Sequence, residues 1–216
     1  MFNEKNAMSK PSLILIGAGG HAHSCIDVIE HLGVFKIAGL IGTEEELQNE
    51  CMGYRIIGTD SDLPGLAKQY EYALITVGQI ESARVRQRIY DQALALGFKF
   101  PTIISGTAHV ARGALVGDGT IVMHGAIVNA NATVGNNCII NTKALIEHDA
   151  MVADHCHIST GAIINGAASV GSGSFVGSGS VIKQDITLGS RCVVGMGISV
   201  RHHHAENSRI LTSNKL

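Results

Sequence analysis

The chain has 216 residues, a formal net charge of −2 with histidine counted neutral, 45% apolar residues and no tryptophan. That length leaves room for one or two domains. The near-neutral charge gives no electrostatic basis for holding nucleic acid, and no apolar run approaches the ~18 residues of a membrane span. The opening residues, Met1 to Ser12, are polar and carry an acid, unlike a signal peptide. The five cysteines have no paired spacing, which fits a reduced, cytoplasmic protein without disulfides or a metal cluster.

In chain order, Ser12–Ile16 is a short apolar run that ends in Gly17-Ala18-Gly19-Gly20-His21. A helical stretch from about His21 to Leu32 follows, closed by Gly33 as a C-cap. Lys36–Ile41 reads as a second strand, and a polar, acidic stretch comes after it. Tyr72–Val77 is a third apolar run, ending at Gly78. Ser82 to Leu96 reads as a helix with Ile89, Ala93 and Leu96 on one face, and Phe98–Ile104 as a last extended run. Strands alternating with helices predict a small parallel α/β sheet of Rossmann-like type over residues 1–105. Gly17, Gly19 and Ala22 fit the G-x-G-x-x-G/A pattern between a strand and a helix. There, backbone N–H groups at a helix N-terminus can face an anion such as a nucleotide-sugar phosphate; a plain tight turn is the alternative. No acid stands at the end of the second strand, so a redox dinucleotide fits poorly.

From His109 the sequence falls into sixes. All sixteen hexads up to His204 carry Val, Ile or Leu at the second position, from Val110 to Val200, and thirteen have Ala, Ser, Thr or Cys at the sixth. Neither a helix nor a strand makes a strict period of six. A solenoid does, since each repeat sends one aliphatic side chain inward. Three hexads make one triangular coil of 18 residues, giving slightly more than five coils in a β-helix domain over residues 106–216 with a short polar tail. Cys138, Cys156 and Cys192 occupy the small sixth position, as buried residues.

The IGAGGHA segment at Ile16–Ala22, Val77-Gly78 after the third strand, and Ile146-Glu147-His148-Asp149 within the hexads together resemble the NeuD/PglD-type sugar acetyltransferases. The resemblance runs over roughly residues 12 to 200. It implies a homotrimer whose β-helix is left-handed, with acetyl-coenzyme A between neighbouring helices as co-substrate and no metal. The acceptor would be a nucleotide-linked amino sugar, such as a bacillosamine or perosamine precursor, or a sialic-type sugar, for surface-glycan synthesis. By this similarity His148 matches the general base and Asp149 the carboxylate that supports it. A histidine can accept the proton that an amine or hydroxyl sheds on attacking a thioester, and the carboxylate favours the imidazolium. Asn141, His157, Gly166, Ser178 and Met196 match the coenzyme site, with Gly166 offering a backbone N–H to the thioester oxygen. Gly19, Gly20, His21 and Gly78 match the sugar site.

His148 and His157 are nine residues apart, half a coil, so one chain places them on different faces. A site using both needs two subunits. The chain departs from the family in two places. The family's G-x-P-A-K segment after the last coil is missing, since no proline follows Pro101, and Ile41-Gly42 stands where many members carry Asp. Two other functions share the fold: a non-catalytic sugar-binding or scaffold protein, and a γ-type carbonic anhydrase using histidines such as His124, His148, His155 and His157. His109, His124 and His155 read as surface residues, and His202-His203-His204 as a solvated end cap.

Overall fold

The computed structural model describes residues 10–212. Residues 1–9, most of the segment compared with a signal peptide, and 213–216 of the polar tail lie outside that range.

The first domain is the expected α/β unit. β1 (Ser12–Ile16), α1 (Gly20–Leu32) and β2 (Lys36–Ile41) form the opening parallel crossover. The polar stretch after β2 contains a hairpin: β3 (Glu50–Cys51) and β4 (Tyr54–Gly58). Its turn is Met52-Gly53, both at positive φ, as a tight two-residue hairpin requires. A short helix α2 (Leu63–Leu66), then β5 (Tyr72–Ile75) and α3 (Arg84–Ala95), complete the unit. The sheet order is β3-β4-β2-β1-β5, with all pairs parallel except β3·β4. Gly33 ends α1 at φ 66 and returns its N–H to Ile29 O, so the predicted C-cap is present. The expected extended run Phe98–Ile104 is a strand only at β6 (Ile103–Ile104).

β6 already belongs to the solenoid. It lies six residues before His109 and pairs with Ile121–Val122 one coil on. At the other end Arg209–Ile210 pairs with Val193–Val194 and His204 bridges Leu188, each 16 residues on rather than 18, so the third face continues past the histidine run in a coil shortened by two residues. Each hexad gives a two-residue strand, and the strands stack into three parallel sheets. The first face runs from His109–Val110 to Ser199–Val200, the second from Leu115–Val116 to Thr187–Leu188, and the third from β6 to Arg209–Ile210. The fold is a left-handed parallel β-helix behind a Rossmann-like domain. Second-position aliphatics such as Val122, Ile140, Ile158 and Val176 fill its axis with Ala126, Cys138 and Cys156. All five cysteines are free and buried.

The α/β domain packs on the third face. There the outward first-position side chains Ile121 and Ile139, with Ile103, are fully buried in one cluster with Cys25, Ile26 and Ile29 of α1. The same apolar pattern that sends one residue to the axis thus sends its neighbour into the domain interface. No helix among the described residues is long and apolar enough to cross a membrane.

Candidate functional site

The carboxyl ends of β1, β2, β4 and β5 open into a cleft of about 690 Å³. It lies where the chain leaves β1 toward β2 on one side and returns to β5 on the other, the switch point at which open α/β sheets bind ligands. Gly17, at φ +119, lines its floor, and a Cβ there would meet Val77 Cγ2 at 2.6 Å and Val77 N at 2.7 Å. Only glycine lets β1 and β5 approach so closely at their ends. Thr76 Oγ1 donates to Gly17 O at 2.6 Å and locks the pair. Gly19 caps α1 without a side chain, and nothing lies within 4 Å of a Cβ at Gly19 or Gly20. Gly78 and His21 line the same cleft, so the structure gathers all four residues matched to the sugar site. Thr43, Glu44, Thr59 and Asp60 line its far side, the last two directly after β4, as expected of a segment from Thr43 to Leu66 that shapes the cleft.

Behind the cleft stands a fully buried arginine. Arg86 Nη1 donates to Ile75 O at 3.0 Å and Val77 O at 2.6 Å. Its Nη2 donates to Asn137 O at 3.2 Å and Asn137 Oδ1 at 2.7 Å, on a corner of the β-helix. Asn137 donates in turn to His155 Nδ1 at 3.0 Å. His155 is 9% exposed with its ring against Tyr90, which corrects its reading as a surface residue. α3 covers this corner, and burial holds the His155 pKa down. His124 likewise bridges domains: its Nε2 meets Asp27 Oδ2 of α1 at 2.8 Å and its Nδ1 meets Ser105 Oγ at 2.6 Å.

His157 joins the cleft to the β-helix. Its Nδ1 donates to Gln79 O at 2.6 Å, and its Nε2 accepts from Asn141 Nδ2 at 3.1 Å. Asn141 Oδ1 accepts the Thr142 N–H at 2.7 Å. Both ring nitrogens are therefore engaged within the chain, and the ring packs 6.4 Å from His21 and 5.2 Å from Phe175. Burial, reinforced by Arg86, lowers His21 to about 3, and burial lowers His157 to about 4. Cys25 Sγ, a thiol held near 12 by burial, lies 3.4 Å from His21 Nε2.

The sign of the pH effect follows. Below the ordinary histidine value of 6.5 the unfolded chain binds protons that the native chain does not, so acidification destabilises the fold. We expect the melting temperature to fall as pH drops from about 6.5 to 4, and the fall to be shallower in His157→Gln. Parallel melts of the two proteins test this, and identical slopes would reject it.

His148 occupies another part of the molecule. It stands at the edge between the first and second faces, whereas Asn141, Ser178 and Met196 follow third-face strands at the edge toward the first. Its Nδ1 donates to Asp149 Oδ2 at 2.8 Å, leaving Nε2 open, and the side chain is 65% exposed. The hydrogen bond to Asp149 raises the His148 pKa, with the charges of Asp149 and Glu147 adding to it. The ring lies over Gly166, one coil above, where a Cβ would meet Cε1 and Nε2 at 2.8 Å. Gly166 is thus needed for the ring's position, a role its sequence motif does not reveal. Ser178 Oγ is 2.9 Å from Ser159 Oγ, and Met196 is 79% exposed. The structure therefore joins Asn141 to His157, whose ring neighbours His21 of the cleft lining, and sets His148 and Gly166 apart. It does not gather the four histidines considered for zinc, and among the described residues no three metal-ligating side chains cluster.

Residues 12–93 match the family model of the PglD N-terminal domain. The acetyltransferase domain of PglB from Neisseria gonorrhoeae, solved with acetyl coenzyme A, is 30% identical over 93% of this chain and 95% of that one, with a TM-score of 0.84. PerB from Caulobacter crescentus, solved with CoA and GDP-perosamine, is 28% identical over 90% and 91%, with a TM-score of 0.84. WeeI from Acinetobacter baumannii shares the fold at 17% identity, with 92% and 95% coverage and a TM-score of 0.80. A comparison with curated protein sequences gives no match. With one α/β domain of PglD type and one β-helix, aligned together along nearly its whole length with such an enzyme, the chain belongs to the hexapeptide-repeat family of sugar acetyltransferases.

Proposed function

We propose that the protein transfers the acetyl group of acetyl-coenzyme A to an amino group of a nucleotide-linked sugar, with His148 as general base. A hydroxyl acceptor and a sialic-type sugar are the other members of the same reading. The observation that carries it is the His148–Asp149 pair: a 2.8 Å hydrogen bond fixes the proton on Nδ1 and leaves Nε2 exposed as an acceptor. The acceptor nitrogen attacks the thioester carbonyl, a C–N bond forms, and the nitrogen's proton passes to Nε2. The C–S bond then breaks, and the departing sulfur takes that proton as the coenzyme thiol.

The amine reading and the nucleotide carrier draw on PerB, whose structure holds CoA and GDP-perosamine. The cleft at the switch point suits such a sugar, with Gly19, Gly20, His21 and Gly78 around it. Asn141, Ser178 and Met196 mark the coenzyme edge. His157, with Nδ1–H donated to Gln79 O and Nε2 occupied by Asn141, acts there as a neutral strut and takes up no proton from the acceptor. Because His148 and Gly166 stand on a different edge, the complete site needs the His148 edge of one subunit against the coenzyme edge of another, in a homotrimer. The product would serve surface-glycan synthesis in the cytoplasm, where five free cysteines are at home.

Incubation with acetyl-coenzyme A and a panel of nucleotide-linked amino sugars and sialic-type sugars, followed by thiol release, tests the reading. Absence of coenzyme binding would transfer support to a non-catalytic sugar-binding protein. Gly166→Ala supplies a geometric check. The new methyl displaces the exposed imidazole rather than backbone, so we expect kcat to fall about 10- to 100-fold with an unchanged melting temperature. A wild-type rate in this variant would show that the ring's position over Gly166 is immaterial.

A further inference from the structure

We propose that Asn131 is a positioning residue that holds the carboxylate of Asp149 against His148, while Asn129 beside it ties back Glu147. The proposal rests on the reading of His148 as the base. One coil is 18 residues, so Asn129-Ala130-Asn131 lies directly beneath Glu147-His148-Asp149, and the Asp149 N–H donates to Ala130 O at 3.0 Å. Asn131 Nδ2 donates to Asp149 Oδ1 at 3.2 Å, while Asp149 Oδ2 takes His148 Nδ1 at 2.8 Å. Each carboxylate oxygen thus has its own partner. Asn129 Nδ2 donates to Glu147 Oε2 at 3.0 Å, and the same oxygen receives the His148 N–H at 3.2 Å. The second acid is thereby folded onto the backbone.

Asp149 needs such a hold. Its side chain is 54% exposed, and an unheld surface carboxylate samples several rotamers in water. Asn131 and Asp149 both sit at the fifth position of their hexads, and both have φ 60. The repeat therefore gives them the same backbone geometry one coil apart, and an amide over a carboxylate is the pairing this stacking allows without like charges meeting. The charged groups facing the imidazole are Asp149 and Glu147, and each is tied by one asparagine of the coil below.

Asn131→Gly removes the amide without backbone strain, because glycine accepts φ 60. In the full-length variant we expect kcat to fall about ten-fold, KM for acetyl-coenzyme A to stay constant, and the melting temperature to stay within about 2 °C. The titration midpoint of His148, followed by NMR of histidine-labelled protein and assigned with His148→Gln, should move down toward an ordinary histidine. A freed Asp149 swings away, and the imidazolium loses its partner. A midpoint that stays in place, or one that rises at an undiminished rate, would overturn the proposal. The midpoint is read without turnover. An active His148→Ala enzyme would remove the base reading while the titration still decided what Asn131 does to Asp149.

Discussion

Replacing His148 by alanine is expected to lower kcat about 10²- to 10⁴-fold while coenzyme affinity and melting temperature stay near wild type. The side chain is 65% exposed and lies over Gly166, so little folding energy depends on it. What it supplies is a proton acceptor with a defined direction, since Asp149 holds the Nδ1 proton and turns Nε2 outward. The pH dependence has a definite sign. The base works unprotonated, and Asp149 raises its pKa, so the rising limb of kcat/KM against pH should lie above the ordinary histidine value. Asp149→Asn removes the negative charge, and the limb should move down while the maximal rate falls, because a neutral amide no longer stabilises the imidazolium that forms. Thiol release measured between pH 5 and 9 with the preferred amino sugar, set beside coenzyme titration, separates chemistry from binding. A rate within two-fold of wild type in His148→Ala would end the base assignment.

The β-helix is legible because its constraint is strictly periodic. An inward aliphatic every sixth residue has no competing explanation, and the register it sets reaches back to β6, where the composition alone is too mixed to show it. The histidine run breaks that period, and Arg209–Ile210 joins the third face after a coil of 16 residues. The strand-to-helix turn at Gly17 is legible for a similar reason, since the close approach of Val77 tolerates no Cβ. The β3–β4 hairpin is not, because β3 has only two residues and β4 (Tyr54–Gly58) shows no period-two alternation beyond its Met-Gly turn. His155 and Arg86 escape for a different reason. Arg84, Arg86 and Arg88 are spaced by two along one helix, and only the docking of α3 on the Asn137 corner decides which one turns inward. Asn129 and Asn131 could have been found. Reading the hexads in threes places them under Glu147 and Asp149, a contact rule as definite in a solenoid as i to i+4 is in a helix.

Arg86→Ala is expected to destabilise the fold by about 3–5 kcal/mol, and so to lower the melting temperature by roughly 10 °C at fixed protein concentration. The side chain is 1% exposed. It satisfies Ile75 O and Val77 O at the floor of the cleft together with Asn137 O and Oδ1 on the β-helix. Its loss leaves a cavity the length of an arginine and takes its partner from each of these buried acceptors. Lysine restores the charge but not the fork that reaches two carbonyls on one side and an amide on the other, so Arg86→Lys should recover only a small part of the loss. The buried cation has no carboxylate among its hydrogen-bond partners, and its Nε has no partner among the described residues. It is therefore held by oriented carbonyls alone, and burial lowers its pKa to about 10. Because those carbonyls belong to the cleft end of β5, the damage should be directional. In Arg86→Lys the KM for the sugar should rise, while coenzyme binding, on an edge that Arg86 does not touch, stays unchanged. Melting curves and separate titrations of the two substrates test both parts, and a melting temperature within about 2 °C of wild type in Arg86→Ala would show that the clamp is dispensable.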